Sequence, residues 1–291
     1  MTAPALQQPA SKTEFAYTKL VVFAVLILLC YAPAILSMAH DWATNEDMGH
    51  GFFAPVVAGY LLWRQREELM AMPAQPNWWG LGLVLLGAAQ SLVATLGVEL
   101  FLSRTALIVT LTGMVWFLGG TAILKKTAFP LFLLCFMAPI PAVIFNSVTF
   151  PLQILASRLA EYSLDLLGVP VLREGNVLEL PSGPLSVVEA CSGIRSLLSL
   201  TFLSLVYGCF FEKRRSVRAL LFVATIPIAI LANGGRVTIT GLLAQVKPEL
   251  AQGFFHESTG WVIFMLAMAM LLLFHQAVLQ GMRLAAKRRA Q

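Results

Sequence analysis

Three side chains that could together perform acyl transfer lie in the second half of the chain: Cys191, Arg236 and His256. Cysteine and histidine are a common pair for covalent catalysis, in which the thiolate attacks a carbonyl carbon. Histidine has an ordinary pKa near about 6.5, so it can take a proton from a thiol and return it to a leaving amine. The rigid fork of donors on arginine can stabilise the oxyanion of a tetrahedral intermediate. The residue types therefore predict a nucleophile, an acid–base group and an oxyanion donor.

Three neighbouring polar residues bear on this chemistry. If Cys191 begins a helix, the helix dipole favours its thiolate, whereas the adjacent Glu189 disfavours it. Arg195 lies one helical turn further along and could pair with Glu189. Asn233 is three residues from Arg236 on the same helical face, where it could orient the guanidinium or donate to the oxyanion.

The composition shows which kind of element must position these residues. The 291 residues are 58% hydrophobic and 12% charged, against roughly 25% charged in an ordinary soluble domain. Apolar windows of about 20 residues, the length that crosses a bilayer, recur along the chain. The apolar runs cover residues 19–39, 49–63, 78–97, 102–124, 127–145, 191–211, 216–236 and 258–280. We therefore expect an all-α integral membrane protein, a single domain over residues 1–291 with about eight transmembrane helices.

The positions of the basic residues predict the orientation of this bundle. The net charge of +5 comes from clusters at the ends of the apolar runs, a pattern typical of cytoplasmic loops and not of a nucleic-acid surface. Residues 1–18 and the basic tail 281–291 are then cytoplasmic. Residues 146–190 and 237–257 lie at the outer face.

The outer-face insertion 146–190 has two patterns. Residues 150–167 place apolar side chains at helical spacing beside three charges, which predicts an amphipathic helix at the interface. Residues 176–180 alternate between apolar and polar between glycines and prolines, which predicts a short hairpin.

The predicted topology places the three reactive residues at one depth. Cys191 opens the sixth run, Arg236 closes the seventh and His256 just precedes the eighth. Each also has an ordinary structural explanation: an inert buried thiol, an arginine reaching towards lipid headgroups, and an interfacial histidine. Three such accidents on one face are less probable than one, so the coincidence favours an active site.

The sequence indicates neither a metal nor an organic cofactor. Its four cysteines are scattered, without the spacing of a zinc site or of a disulfide framework. A second class of function is a membrane transporter or a polysaccharide-assembly protein without protease activity. Transport favours charges near the centres of spans, and the centres of these runs are almost free of them.

Four segments of the chain resemble the exosortase/archaeosortase family of membrane transpeptidases. They are residues 49–55 followed by 61–64, then 189–196 around Cys191, 232–236 ending at Arg236, and 255–261 around His256. The resemblance covers residues from about 49 to 280. The order and spacing of the segments make the combination specific.

The resemblance implies a catalytic Cys191 with Arg236 and His256 as partners, and Arg195 in substrate binding. It implies a cysteine protease or transpeptidase of the bacterial inner membrane, active at the periplasmic face. The implied partners are exported proteins whose tail has a short motif, often Pro-Glu-Pro, then a transmembrane helix and a basic cluster. Membrane lipid surrounds the protein, and we expect any accessory partner to be a separate protein.

Overall fold

The computed structural model describes residues 22–187, 194–247 and 253–289. Helices dominate it, and the predicted all-α membrane class is confirmed. The helices are α1 Val22–Cys30, α2 Ala32–Thr44, α3 Phe53–Arg64, α4 Arg66–Ala71, α5 Trp78–Gly97, α6 Leu100–Leu133, α7 Ala142–Leu166, α8 Ile194–Phe211, α9 Arg215–Val246 and α10 Gly253–Arg289. Two 3-10 helices cover Glu46–Phe52 and Leu134–Met137, and three strands are β1 Leu172–Glu174, β2 Val177–Leu180 and β3 Gly183–Ser186.

Five of the described helices are long and apolar enough to cross a membrane. They are α5, α6 with the 3-10 turn that follows it, α7, α9 and most of α10. The pair α1 and α2, bent by 68°, would make a sixth span. With 12 and 18 residues, α3 and α8 fall below or near the lower limit of length. The predicted number of about eight spans is therefore not confirmed.

The region between residues 100 and 166 differs from the sequence prediction. The sequence predicts separate spans over 102–124 and 127–145. The structure has instead one helix, α6, which continues through a break at Gly120, where the φ of 81° is a conformation that favours glycine. In place of an interfacial helix over 150–167, α7 begins already at Ala142. The apolar residues before Phe150 continue the same helix, so α7 becomes long enough to span.

The described chain forms two compact units. The first contains residues 22–45 and 51–139, and its largest contact is between α5 and α6. Glycines allow these two helices to approach closely, because a side chain at Gly80 or Gly113 would collide with the backbone of the other helix. A buried ion pair joins α2 to α6, with Arg104 Nη2 lying 2.6 Å from Asp41 Oδ2.

The second unit contains residues 46–50 and the described part of 140–291, and α9 is its central helix. This helix packs against α7, α8 and α10. Its apolar core includes Leu200 of α8, Leu221 of α9 and Leu271 of α10, which are fully buried. Each of these helices is therefore held in place by α9.

The strands form a small antiparallel sheet in the order β1-β2-β3. The predicted hairpin is present and has one strand more than expected. Leu178 and Leu180 are buried and Glu179 between them is exposed, as the alternation predicts. Gly175 supplies the positive φ of the first turn, and Leu178 packs with Leu164 in one core cluster. This contact fixes the sheet to the end of α7.

Candidate active site

Arg236 lies on the central helix α9 and is only 8% exposed. Its guanidinium packs against the backbone of α10 at Gly260. A methyl group added there would lie 3.1 Å from Nη2 and 3.2 Å from Cζ. These distances are tighter than an ordinary contact, which is about 3.5–4.0 Å between carbon atoms. The absence of a side chain at residue 260 therefore lets the arginine head lie against α10.

His256 belongs to the first turns of the same helix, α10, which begins at Gly253. Its backbone lies one turn before Gly260, a separation of about 6 Å along the helix axis. The side chain of His256 lies outside the described residues. The structure thus brings the head of Arg236 to within about one helical turn of the histidine backbone.

Cys191 and Glu189 lie in residues 188–193, outside the described residues. The described part of α8 begins at Ile194, so Arg195 occupies its first turn. Arg195 Nε donates to Asp47 Oδ1 at 2.9 Å, across 148 positions of sequence. Sequence analysis did not predict this ion pair. The signal available was the acidic pair Glu46 and Asp47, just before one of the segments that resemble the family.

Asn233 is 4% exposed and faces a narrow crevice. Among the residues that the structure describes, neither its Nδ2 nor its Oδ1 has a hydrogen-bond partner. The predicted role of orienting the guanidinium of Arg236 would need such a bond. Donation to an oxyanion stays a prediction.

His50 is a buried histidine of this unit that sequence analysis did not single out. It is 8% exposed and its ring lies near Phe202 of α8, with 6.3 Å between the centroids. Burial lowers the pKa of His50, and the negative charge of Asp47 opposes that shift in part. The imidazole is therefore neutral at pH 7. Its position in the 3-10 segment ties this segment to α8.

The part of the chain that the structure describes contains no cluster of three or more His, Cys, Asp or Glu side chains suited to a metal ion. The candidate polar groups in the second unit are the ion pair of Arg195 with Asp47, the Arg236 guanidinium against α10, and Asn233 on the same helix as Arg236. Such groups can bind and polarise a peptide carbonyl.

These features define a polytopic membrane protein whose candidate site residues lie on helix α9 and on α8 and α10, which pack against it. A sequence model of the transmembrane exosortase family matches residues 42–273. The chain therefore belongs to the transmembrane exosortase family, as the resemblance predicted. Membership assigns it a general role as a membrane transpeptidase in protein sorting. No curated protein and no solved structure matches the chain.

Proposed function

We propose that this exosortase is a cysteine transpeptidase that cleaves the C-terminal sorting tails of exported proteins at the outer face of the bacterial inner membrane. The observation that carries the proposal is the packing of the Arg236 guanidinium against Gly260, one turn from His256. It supports a site in which a fixed cation and a histidine backbone lie close together. The sequence places Cys191 three residues before the described start of α8, and α8 packs on α9.

In the proposed first half-reaction, His256 takes the proton of the Cys191 thiol, and the thiolate attacks the scissile carbonyl carbon. Arg236 stabilises the resulting oxyanion with its guanidinium donors. The carbon–nitrogen bond then breaks, and the imidazolium returns its proton to the departing amine. The products are the free tail and a thioester on Cys191.

In the second half-reaction an amine or water attacks the thioester. His256 accepts the proton of this nucleophile while Arg236 again stabilises the oxyanion. The carbon–sulfur bond breaks, the acyl group leaves on its new acceptor, and the imidazolium returns its proton to the departing thiolate, which regenerates Cys191. Arg195 and Glu189 support the site beside the nucleophile, and the ion pair of Arg195 with Asp47 holds the first turn of α8 to the 3-10 segment.

The membrane location follows from the substrate that the proposal requires. A tail with its own transmembrane helix presents its scissile bond just outside the bilayer, so a nucleophile at the outer end of a helix can reach it. The basic cytoplasmic clusters support this orientation. The alternative, a transporter or polysaccharide-assembly protein, has no comparable observation in its favour.

Mass spectrometry of the acyl-enzyme tests the proposal. Enzyme mixed with a tail-bearing substrate and stopped in acid should carry an adduct on Cys191 that hydroxylamine removes. Cys191→Ala should leave the substrate uncut. Cys209→Ala, which removes a partly buried thiol of α8, is the matched control and should cleave like the wild type. Efficient cleavage by the Cys191→Ala enzyme would eliminate the mechanism.

A further inference from the structure

Asn233 is a buried amide with both of its polar atoms unused. It is 4% exposed, and within the described residues Nδ2 and Oδ1 have no hydrogen-bond partner. Buried polar groups are almost always paired, and an unpaired one points to a missing partner such as water or a ligand. The partner must supply a donor to Oδ1 and an acceptor to Nδ2.

The crevice beside Asn233 is the open space nearest to this amide, and its volume of about 10 Å³ is that of roughly one water molecule. It is lined by Leu152 of α7, by Leu197 of α8, and by Ala229, Ile230 and Asn233 of α9. Leu152, Leu197 and Ile230 are only partly buried, so the crevice opens at the surface of the helices. Its lining is apolar except for the amide. A partner larger than one water molecule therefore has to lie over the crevice, to be mostly apolar, and to carry one polar group that both donates and accepts.

A helix that begins inside a membrane has this chemistry. The first four N–H groups of any helix lack partners within the helix, and no water satisfies them in the hydrocarbon region. Asparagine is among the best residues for capping these groups, because its side-chain oxygen accepts from the first turn. Lipid esters only accept hydrogen bonds, so they would leave Oδ1 unpaired.

We infer that Asn233 caps, from the enzyme, the first turn of the transmembrane helix of the substrate tail. Oδ1 accepts from an N–H of that turn, and Nδ2 donates to a carbonyl oxygen just before it. The inference rests on the proposed function. Asn233 lies three residues before Arg236, about 4.5 Å along α9 towards its cytoplasmic end. The tail helix would then begin on the membrane side of the carbonyl that Arg236 polarises.

Binding of a synthetic tail to the full-length protein in lipid nanodiscs tests the inference, in a Cys191→Ala background so that chemistry plays no part. Asn233→Leu should bind the tail about tenfold more weakly, the size expected for a lost hydrogen bond with an unpaired N–H left behind. Its Tm should be equal or higher, because an unpaired polar group is replaced by an apolar one of similar size. Thr225→Val is the matched control. Thr225 is a buried polar residue two turns away on α9; its hydroxyl donates to the carbonyl oxygen of Phe222 at 2.6 Å and lies 3.3 Å from the hydroxyl of Thr201 on α8.

A proline scan of the tail identifies the capped N–H. Proline is tolerated in a first turn and removes one N–H at a time. Proline at one position of the tail should weaken binding about tenfold to the protein that has Asn233. The same proline should cause no further weakening of binding to the Asn233→Leu protein. Asn233→Ala gives the same comparison if the leucine variant does not fold.

Equal tail binding with and without the Asn233 amide, or the same proline profile in both proteins, would overturn the inference and leave the proposed function standing. A water-filled crevice predicts this result. If protein with Asn233 fails to bind the tail at all, the proposed function is wrong and the inference falls with it.

Discussion

Replacing Gly260 by alanine tests whether the position of Arg236 matters for catalysis. The added methyl group would lie 3.1 Å from Nη2 and 3.2 Å from Cζ. Carbon atoms in favourable contact are about 3.5–4.0 Å apart, so the guanidinium would have to retreat by about 0.5 Å. A displacement of about 1 Å in an active site can reduce the rate about 100-fold. On a logarithmic scale, half that displacement predicts a kcat about tenfold lower.

The assay compares cleavage of a tail-bearing substrate with the Tm of the purified enzyme. Alanine is favoured over glycine in a helix by about 0.5–1 kcal/mol, so Gly260→Ala should not unfold α10. Gly281→Ala is the matched control, because a methyl group at this position of α10 meets nothing within 4 Å. It should keep the wild-type kcat. Wild-type kcat in a folded Gly260→Ala enzyme would refute the reasoning, and an equal loss in both variants would indicate a general effect on the helix.

Three further predictions concern the site, the orientation and the stability of the protein. Arg236→Lys should lower kcat about 100- to 1000-fold in steady-state cleavage, because lysine keeps the charge and loses the fork of donors. Turnover at the wild-type rate would show that Arg236 only anchors its helix. A reporter enzyme that works only in the cytoplasm should be active when it is fused after Gln291. Activity of a reporter that works only in the periplasm would show the opposite orientation of the protein. The N–H of Arg214 donates to Glu212 at 2.7 Å and holds the pKa of this carboxyl below its ordinary 4.5. A lowered pKa stabilises the folded state above pH 4.5, and this stabilisation is lost as the pH falls through the lowered value. Glu212→Gln should therefore lower the Tm at pH 7, and the difference from the wild type should shrink as the pH falls below 4.5; a difference that does not change with pH would contradict the assignment.

The membrane class and the family could be predicted because both depend on local patterns. The apolar run over residues 78–97 identifies α5 together with both of its ends, and the alternation around Glu179 identifies the sheet. The same patterns could not place the break in α6. A glycine such as Gly120 within a continuous apolar run is compatible with a turn between two spans or with a kink in one helix. The hydropathy of the sequence does not distinguish between these two arrangements.

The polar contacts of the site could be predicted only in part. The sequence predicts that Arg236 and His256 lie near each other, because each falls at the end of an apolar run and therefore at the same depth in the membrane. The pairing of Arg195 with Asp47 joins residues 148 positions apart. The pairing of Arg104 with Asp41, which lies outside the site, depends on how α2 packs on α6. Neither contact leaves a periodic signal in the sequence. Both require knowledge of which helices are neighbours.

The spacing between Asn233 and Arg236 explains how one helix can direct these two side chains to different neighbouring helices. Three residues correspond to about 300° of rotation, so the two side chains leave α9 about 60° apart. Arg236 consequently reaches α10, whereas Asn233 reaches the crevice beside α7 and α8. Gly234 between them permits a close approach of α7, because a methyl group there would lie 2.8 Å from Leu159 Cβ. A larger residue at 234 would push α7 from α9 and widen the crevice, so this glycine couples helix packing to the position of the amide.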